Sequence, residues 1–258
     1  MALAGLQILL AEDNLTNQMV ATQMLESLGA HVTVADDGQQ ALELLQAEDF
    51  DVALIDIEMP KISGVDLIKM LRAEGGRFTS LPMIALTAYV MREHRAAIES
   101  AGADGIIAKP ILSIDQFGQE VHAILEKRRE SGRQEEIPVK SSPRSDGRKA
   151  TVDEVLFEQL SSAFDDQRRA ELMRQISKDI GDACGQIEVA HPLSDGETIR
   201  AASHVLISVS GTIGATRLQS LAQCLNSAGH AADSQEIDRI TPDLIAEAAR
   251  VMEFIDQG

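Results

Sequence analysis

Five residues in the first 110 positions can do chemistry, and each stands where an apolar run stops. Val52-Ala53-Leu54-Ile55 ends in Asp56, followed by Ile57-Glu58-Met59-Pro60. The run is too short for a helix and reads as a buried strand, which Pro60 terminates. Ile8-Leu9-Leu10-Ala11 leads in the same way to Glu12-Asp13, Met83-Ile84-Ala85-Leu86 to Thr87, and Ile106-Ile107-Ala108 to Lys109-Pro110. In an open α/β sheet such side chains arrive at the C-terminal edge of the strands, where ligands bind. Crowded carboxylates repel one another unless a cation neutralises them. Mg²⁺ takes oxygen ligands and keeps several waters, so two or three acids suffice to hold it. Asp56 beside a partly neutralised electrophile can attack phosphorus and form an aspartyl phosphate. Lys109 and Thr87 would then contact the phosphoryl oxygens. One such residue alone reads as a strand or helix cap; five in an ordered set do not.

The elements that must position these residues follow from the pattern. Strands are predicted at 7–11 and 31–35, with three more ending at Asp56, Thr87 and Lys109. Helical patterns fall between them, at 16–28, around Ala41 to Leu45, around Val65 to Leu71, at 92–101 and at 114–125. Glycines stop several of them: Gly29, Gly75-Gly76 and Gly102. Five βα units predict an α/β fold, a five-stranded parallel doubly wound (flavodoxin-like) sheet covered on both faces. From 128 to 150 the sequence is polar and rich in breakers, and reads as a flexible linker. Beyond it only the helical period remains. Thr151-Val152-Asp153-Glu154 resembles a capping box, and Thr241-Pro242 supplies an N-cap and first-turn proline for a last helix. The expectation is three parts: an α/β domain at 1–127, the linker at 128–150 and an all-α four-helix bundle at 151–258.

Composition narrows the function. The 258 residues suit one large or two ordinary domains. Aromatics make up 3% and Trp is absent, so both cores must be aliphatic. A net charge of −18 argues against nucleic acid as a partner. Cys184 and Cys224 are expected as buried free thiols in a reducing compartment. With no signal-peptide pattern and no apolar run of membrane-spanning length, a soluble cytoplasmic protein is expected.

The residues quoted above carry a resemblance to the response-regulator receiver domain. Glu12-Asp13-Asn14, Asp56 with Met59-Pro60, Leu86-Thr87-Ala88 and Lys109-Pro110 stand in order and at family spacing. The resemblance implies phosphorylation of Asp56, and Mg²⁺ held by Asp13, Asp56 and the main-chain carbonyl of Glu58, with Glu12 assisting through water. It implies a cis bond before Pro110. The run from Asn14 to Gln18 is similar to receivers attached to hybrid histidine kinases. One departure is Ile106, where the family usually has an aromatic residue; Tyr89, two after Thr87, is a candidate gate at the mouth.

In the second half one helix reads clearly by angle. Ile199, Ala202, Leu206, Val209 and Ile213 cluster on one face, and His204 points about 170° from its centre. An imidazole outside the core is expected to be exposed and able to carry a phosphoryl group. Here the chain resembles the histidine-containing phosphotransfer domain, through His204-Val205-Leu206 and Gly214-Ala215. The resemblance implies that His204 is a phosphoacceptor docking onto receivers. Two departures line the same side of the helix. Ile207 stands where lysine is typical and Ser208 where glycine is typical. Arg200, one turn earlier, is the candidate to restore the missing cation. Ile207 is expected to form part of an exposed apolar docking face. His191 and His230 are expected in a turn and a polar loop.

Together these predict a two-component phosphorelay protein, a phosphoryl acceptor and carrier rather than a turnover enzyme. Its expected partners are a sensor or hybrid histidine kinase and other receiver or phosphotransfer proteins. No ATP-lid glycine motif is present, so phosphate must come from a partner. The alternative is a phosphorylation-switched adaptor whose bundle only binds. A third reading, a phosphatase resembling the haloacid dehalogenase family, requires a second aspartate two after the nucleophile; Glu58 is there instead.

Overall fold

The computed structural model describes residues 3–87, 92–111, 113–130 and 151–257. Strands and helices alternate through the first half. They are β1 (Gln7–Ala11), α1 (Leu15–Ser27), β2 (His31–Ala35), α2 (Gly38–Ala47), β3 (Val52–Asp56) and α3 (Gly64–Glu74). A short α4 (Arg77–Ser80) precedes β4 (Met83–Thr87), α5 (Arg92–Ala101), β5 (Gly105–Ala108) and α6 (Ile114–Glu130). All strand pairs are parallel, in the order β2-β1-β3-β4-β5. The register sets Ala11 beside Ile55 and Asp56 beside Leu86, so the strands end along one edge. Alternation along each strand divides the core in two. Ile8, Leu10, Leu54, Ile84 and Leu86 cluster with Val20, Met24 and Leu25 of α1 and Phe117 and Val121 of α6. Leu9, Ile55 and Met83 cluster with Leu45 of α2 and Leu67, Ile68 and Leu71 of α3. Apolar residues on both faces of a strand require this double cover.

The second half is helical: α7 (Glu154–Ser162), α8 (Asp166–Ala190), α9 (Gly196–Thr212), α10 (Thr216–Ala231) and α11 (Ser234–Gln257). Helices α8 to α11 form a ring in which each packs on the next. Leu172, Ile176, Leu206, Val209, Leu218, Leu225, Leu244 and Val251 lie in its aliphatic core. Helix α7 closes one end, where Phe157 meets Phe254 edge-on at 5.3 Å and Asp153 N donates to Gly214 O at 3.0 Å. The fold class predicted from the sequence holds in both halves.

Several local expectations change. Helix α6 runs on through Glu130, while 131–150, most of the expected linker, lie outside the described residues. Helix α7 is capped by Asp153 rather than Thr151. Its carboxylate accepts from Val155 N and Leu156 N at 3.1 and 3.2 Å, and an anion there also meets the positive helix end. Thr241-Pro242 opens no helix. Asp233 caps α11 by accepting from Glu236 N at 3.1 Å, and Thr241 Oγ1 turns back onto Ile237 O at 2.8 Å. Burial of Ile237 and Ile240 holds the turn before the proline. Cys184 is buried, but Cys224 is exposed, because α10 turns Leu218, Ala222 and Leu225 inward instead. His230 sits in the last turn of α10, not in a loop. Among the described residues no helix is long and apolar enough to cross a membrane.

Candidate functional site

Asp56 is the last residue of β3 and Thr87 the last of β4, and both are buried. Glu12 and Asp13 follow β1, and Lys109 follows β5. Carboxylate oxygens of Glu12, Asp13 and Asp56 all lie within 4.8 Å of one another. Lys109 Nζ stands 2.6 Å from Glu12 Oε2 and 2.6 Å from Asp56 Oδ2. Glu58 N donates to Asp56 Oδ1 at 3.2 Å. Lys109 N donates to Thr87 O at 2.8 Å, tying two strand ends together. The Lys109–Pro110 peptide is cis, as expected. Helix α3 starts hard against β3: a Cβ on Gly64 would stand 2.0 Å from Asp56 O, so only glycine fits there.

Charge in the pocket is unbalanced, with three acids facing one ammonium. Burial pushes Glu12 up to about 7; Lys109 opposes this and Asp56 adds to it. Asp13 is raised too, first by loss of water around its carboxylate and then by Asp56. Burial works against the charge on Lys109, but Asp56 and Glu12 outweigh it and hold its pKa above the usual lysine value. An all-oxygen set short of positive charge fits a hard divalent cation.

Residues 8–122 match the family model of the response regulator receiver domain. Residues 8–122 are a receiver domain. The chain is 29% identical over 229 residues to the sensory/regulatory protein RpfC of Xanthomonas campestris, covering 87% of this chain and 30% of that protein. It is 28% identical over 257 residues to the aerobic respiration control sensor protein ArcB of Escherichia coli, covering 100% of this chain and 30% of that protein. Similarity to the sensor histidine kinase GacS of Pseudomonas protegens is 36% over 107 residues, or 41% of this chain and 12% of the relative. The chain thus spans under a third of the length of these relatives. Among solved structures, the receiver domain of a sensor histidine kinase from Pseudomonas aeruginosa, described with magnesium in its active site cleft, is 33% identical. It covers 48% of this chain and 99% of its own, with a TM-score of 0.44.

The helical half packs over the mouth of the receiver pocket. His204 Nδ1 stands 2.7 Å from Glu58 Oε2. The imidazole does lie off the bundle's own core, but it is not exposed: its side chain is 16% accessible, because the receiver covers it. Burial alone would lower its pKa; the carboxylates of Glu58 and then Asp56 outweigh burial and raise it. Ile207 is fully buried rather than exposed, since this face of α9 is covered. Arg200 turns to α10, where Nη1 meets Gly229 O at 3.4 Å. That contact holds its guanidinium on α10 rather than at the His204 ring. Ile106 is partly buried on β5, Tyr89 lies outside the described residues, and His191 pairs with Asp238 at 2.6 Å.

Three contributors escaped the sequence reading. The Glu58 side chain meets His204. Asn17 and Asp179 join the two halves through buried and half-buried hydrogen bonds. Asn17 carried a signal, since an asparagine inside an apolar helix pattern competes with the helix backbone and needs a reason to be there.

Proposed function

We propose that the chain is a two-component phosphorelay protein in which Asp56 accepts a phosphoryl group and exchanges it with His204 of the same chain. The observation that carries this reading is His204, on α9, paired with Glu58 two residues beyond Asp56. On this reading residues 1–127 are the receiver, 128–150 the tether and 151–258 a phosphotransfer-type bundle. Glu12, Asp13, Asp56 and the main-chain carbonyl of Glu58 would hold Mg²⁺. When bound, Mg²⁺ supplies charge neutralisation around the phosphoryl oxygens.

Loading takes place when an Asp56 carboxylate oxygen attacks the phosphorus of a donor phosphohistidine. The P–O bond forms, the P–N bond breaks, and the donor imidazole leaves with the electron pair. Lys109 and Thr87 hold the transferring oxygens. In the exchange step the Nε2 lone pair of His204 attacks the same phosphorus, the bond to Asp56 breaks, and the carboxylate is regenerated. Glu58 beside Nδ1 steadies the ring and leaves Nε2 as the nitrogen for the attack. The donor is a sensor or hybrid histidine kinase or another phosphorylated carrier, acting in the cytoplasm.

Radiolabelled acetyl phosphate with Mg²⁺ tests this. Wild type should acquire both a base-labile acyl phosphate and a base-stable phosphohistidine. Asp56→Asn should lose both, and His204→Gln only the second. Label on Asp56 alone in wild type would replace the carrier with an adaptor, and no label on Asp56 would end the reading.

A further inference from the structure

Away from the reacting atoms, two polar contacts join the first turn of α1 to the bundle. On α8, Asp179 Oδ2 accepts from Asn14 Nδ2 at 3.0 Å and from Thr16 Oγ1 at 2.7 Å. Gln175 Nε2 steadies the other oxygen at 2.7 Å. Helix α1 has no acidic residue in its own first turn, so Asp179 supplies the negative group that its N-terminus favours. Asn14 is free to donate because only its Oδ1 is used in capping, accepting from Asn17 N at 3.0 Å.

The second contact is fully buried. Asn17 Nδ2 donates to Glu12 Oε1 at 2.8 Å and to Ser208 Oγ at 2.8 Å, and Thr212 Oγ1 donates to Asn17 Oδ1 at 3.4 Å. Both hydrogens of one amide are thereby satisfied, while the Thr212 hydroxyl shares its single hydrogen between Asn17 Oδ1 and Ser208 O, the latter at 3.0 Å. A glycine at 208 would leave one of those hydrogens without a partner in a buried place. A receiver with an apolar side chain at position 17 would remove the donor that Ser208 Oγ accepts from.

We propose that Asp179 and Ser208 are positioning residues that read the Asn14-to-Asn17 turn and set α9 so that His204 stands over this receiver's own pocket. They make bundle and receiver a matched pair. Their part in phosphoryl exchange rests on the function proposed above; the docking itself does not.

The test uses the full chain with Asp179→Ala, Asp179→Asn, Ser208→Ala and the Asp179→Ala/Ser208→Ala double variant. Alanine favours a helix, so the bundle should keep its helicity and melting temperature. Backbone hydrogen exchange in α1 should quicken about tenfold or more in the double variant and less in Asp179→Asn, while α10 and α11 keep their protection. Labelling of Asp56 by acetyl phosphate should be unchanged, and its passage to His204 slower by a similar factor. A merely structural role would not separate loading from passage. Wild-type exchange rates in α1 of the double variant would overturn the proposal, even if His204 takes label. If wild type never labels His204 yet α1 loses protection as stated, the matched docking stands and the phosphorelay reading falls.

Discussion

Lys109 holds two carboxylates at once, at 2.6 Å each, and this separates binding a cation from transferring phosphate. Lys109→Ala should leave Mg²⁺ affinity unchanged or higher by calorimetry, because it removes the competing positive charge. It should also slow Asp56 labelling by about a hundredfold, the scale of a lost electrostatic donor. Labelling at the wild-type rate would remove Lys109 from the chemistry. The cysteines give a second prediction at this scale. Burial, with Glu188 adding to it, pushes the Cys184 thiol up to about 11, whereas Cys224 is exposed. A thiol-specific chromogenic reagent at pH 8 should therefore consume one equivalent at once. The second should follow on unfolding, or faster as the pH rises toward 11; two equal fast equivalents would contradict the burial. The acids, Thr87 and Lys109 were legible because each ended an apolar run. Cys224 was misread because both cysteines lie in apolar-periodic stretches, and which face is buried depends on neighbours. Arg200 was misread for a related reason: spacing says which residues share a helix face, not which acceptor a long side chain will find.

At the scale of elements, the β3–α3 junction is one of the two closest backbone approaches at the described glycines. A Cβ on Gly64 would stand 2.0 Å from Asp56 O and 2.9 Å from Ile57 Cα. Backbone cannot yield as a flexible side chain does, so Gly64→Ala should cost about 1–3 kcal/mol. It should also displace the strand end that carries Asp56. Thermal melting should fall by several degrees, with Mg²⁺ binding weakened; a variant that melts and binds as wild type would show that the junction relaxes freely. Strands and helices here were readable because their apolar periods differ and because Gly75, at φ 74°, marks a helix end. Helix α11 was read as starting too late because Thr-Pro is a strong local start signal. The burial of Ile237 and Ile240 overrides it, and burial is a property of the packed bundle.

For the whole molecule, the main feature is how the halves meet. The apolar cluster of α1 and α6 continues into the bundle, and with the bundle in place the Asp56 side chain is 2% accessible. The sequence showed an acidic pocket at the strand ends and a candidate histidine, but not that one covers the other. Complementarity between two surfaces has no period, and its few polar markers, Asn17, Asp179 and Ser208, look ordinary until paired. The reading predicts that phosphate moves within one chain. The most direct test is to load Asp56 with radiolabelled phosphate, remove the donor while Mg²⁺ stays present, and follow the label at protein concentrations a hundredfold apart. Base-labile label should turn into base-stable phosphohistidine with one first-order rate at every concentration, and His204→Gln should abolish the product. Release of all the label as inorganic phosphate, with none passing through His204 at any concentration, would contradict the account.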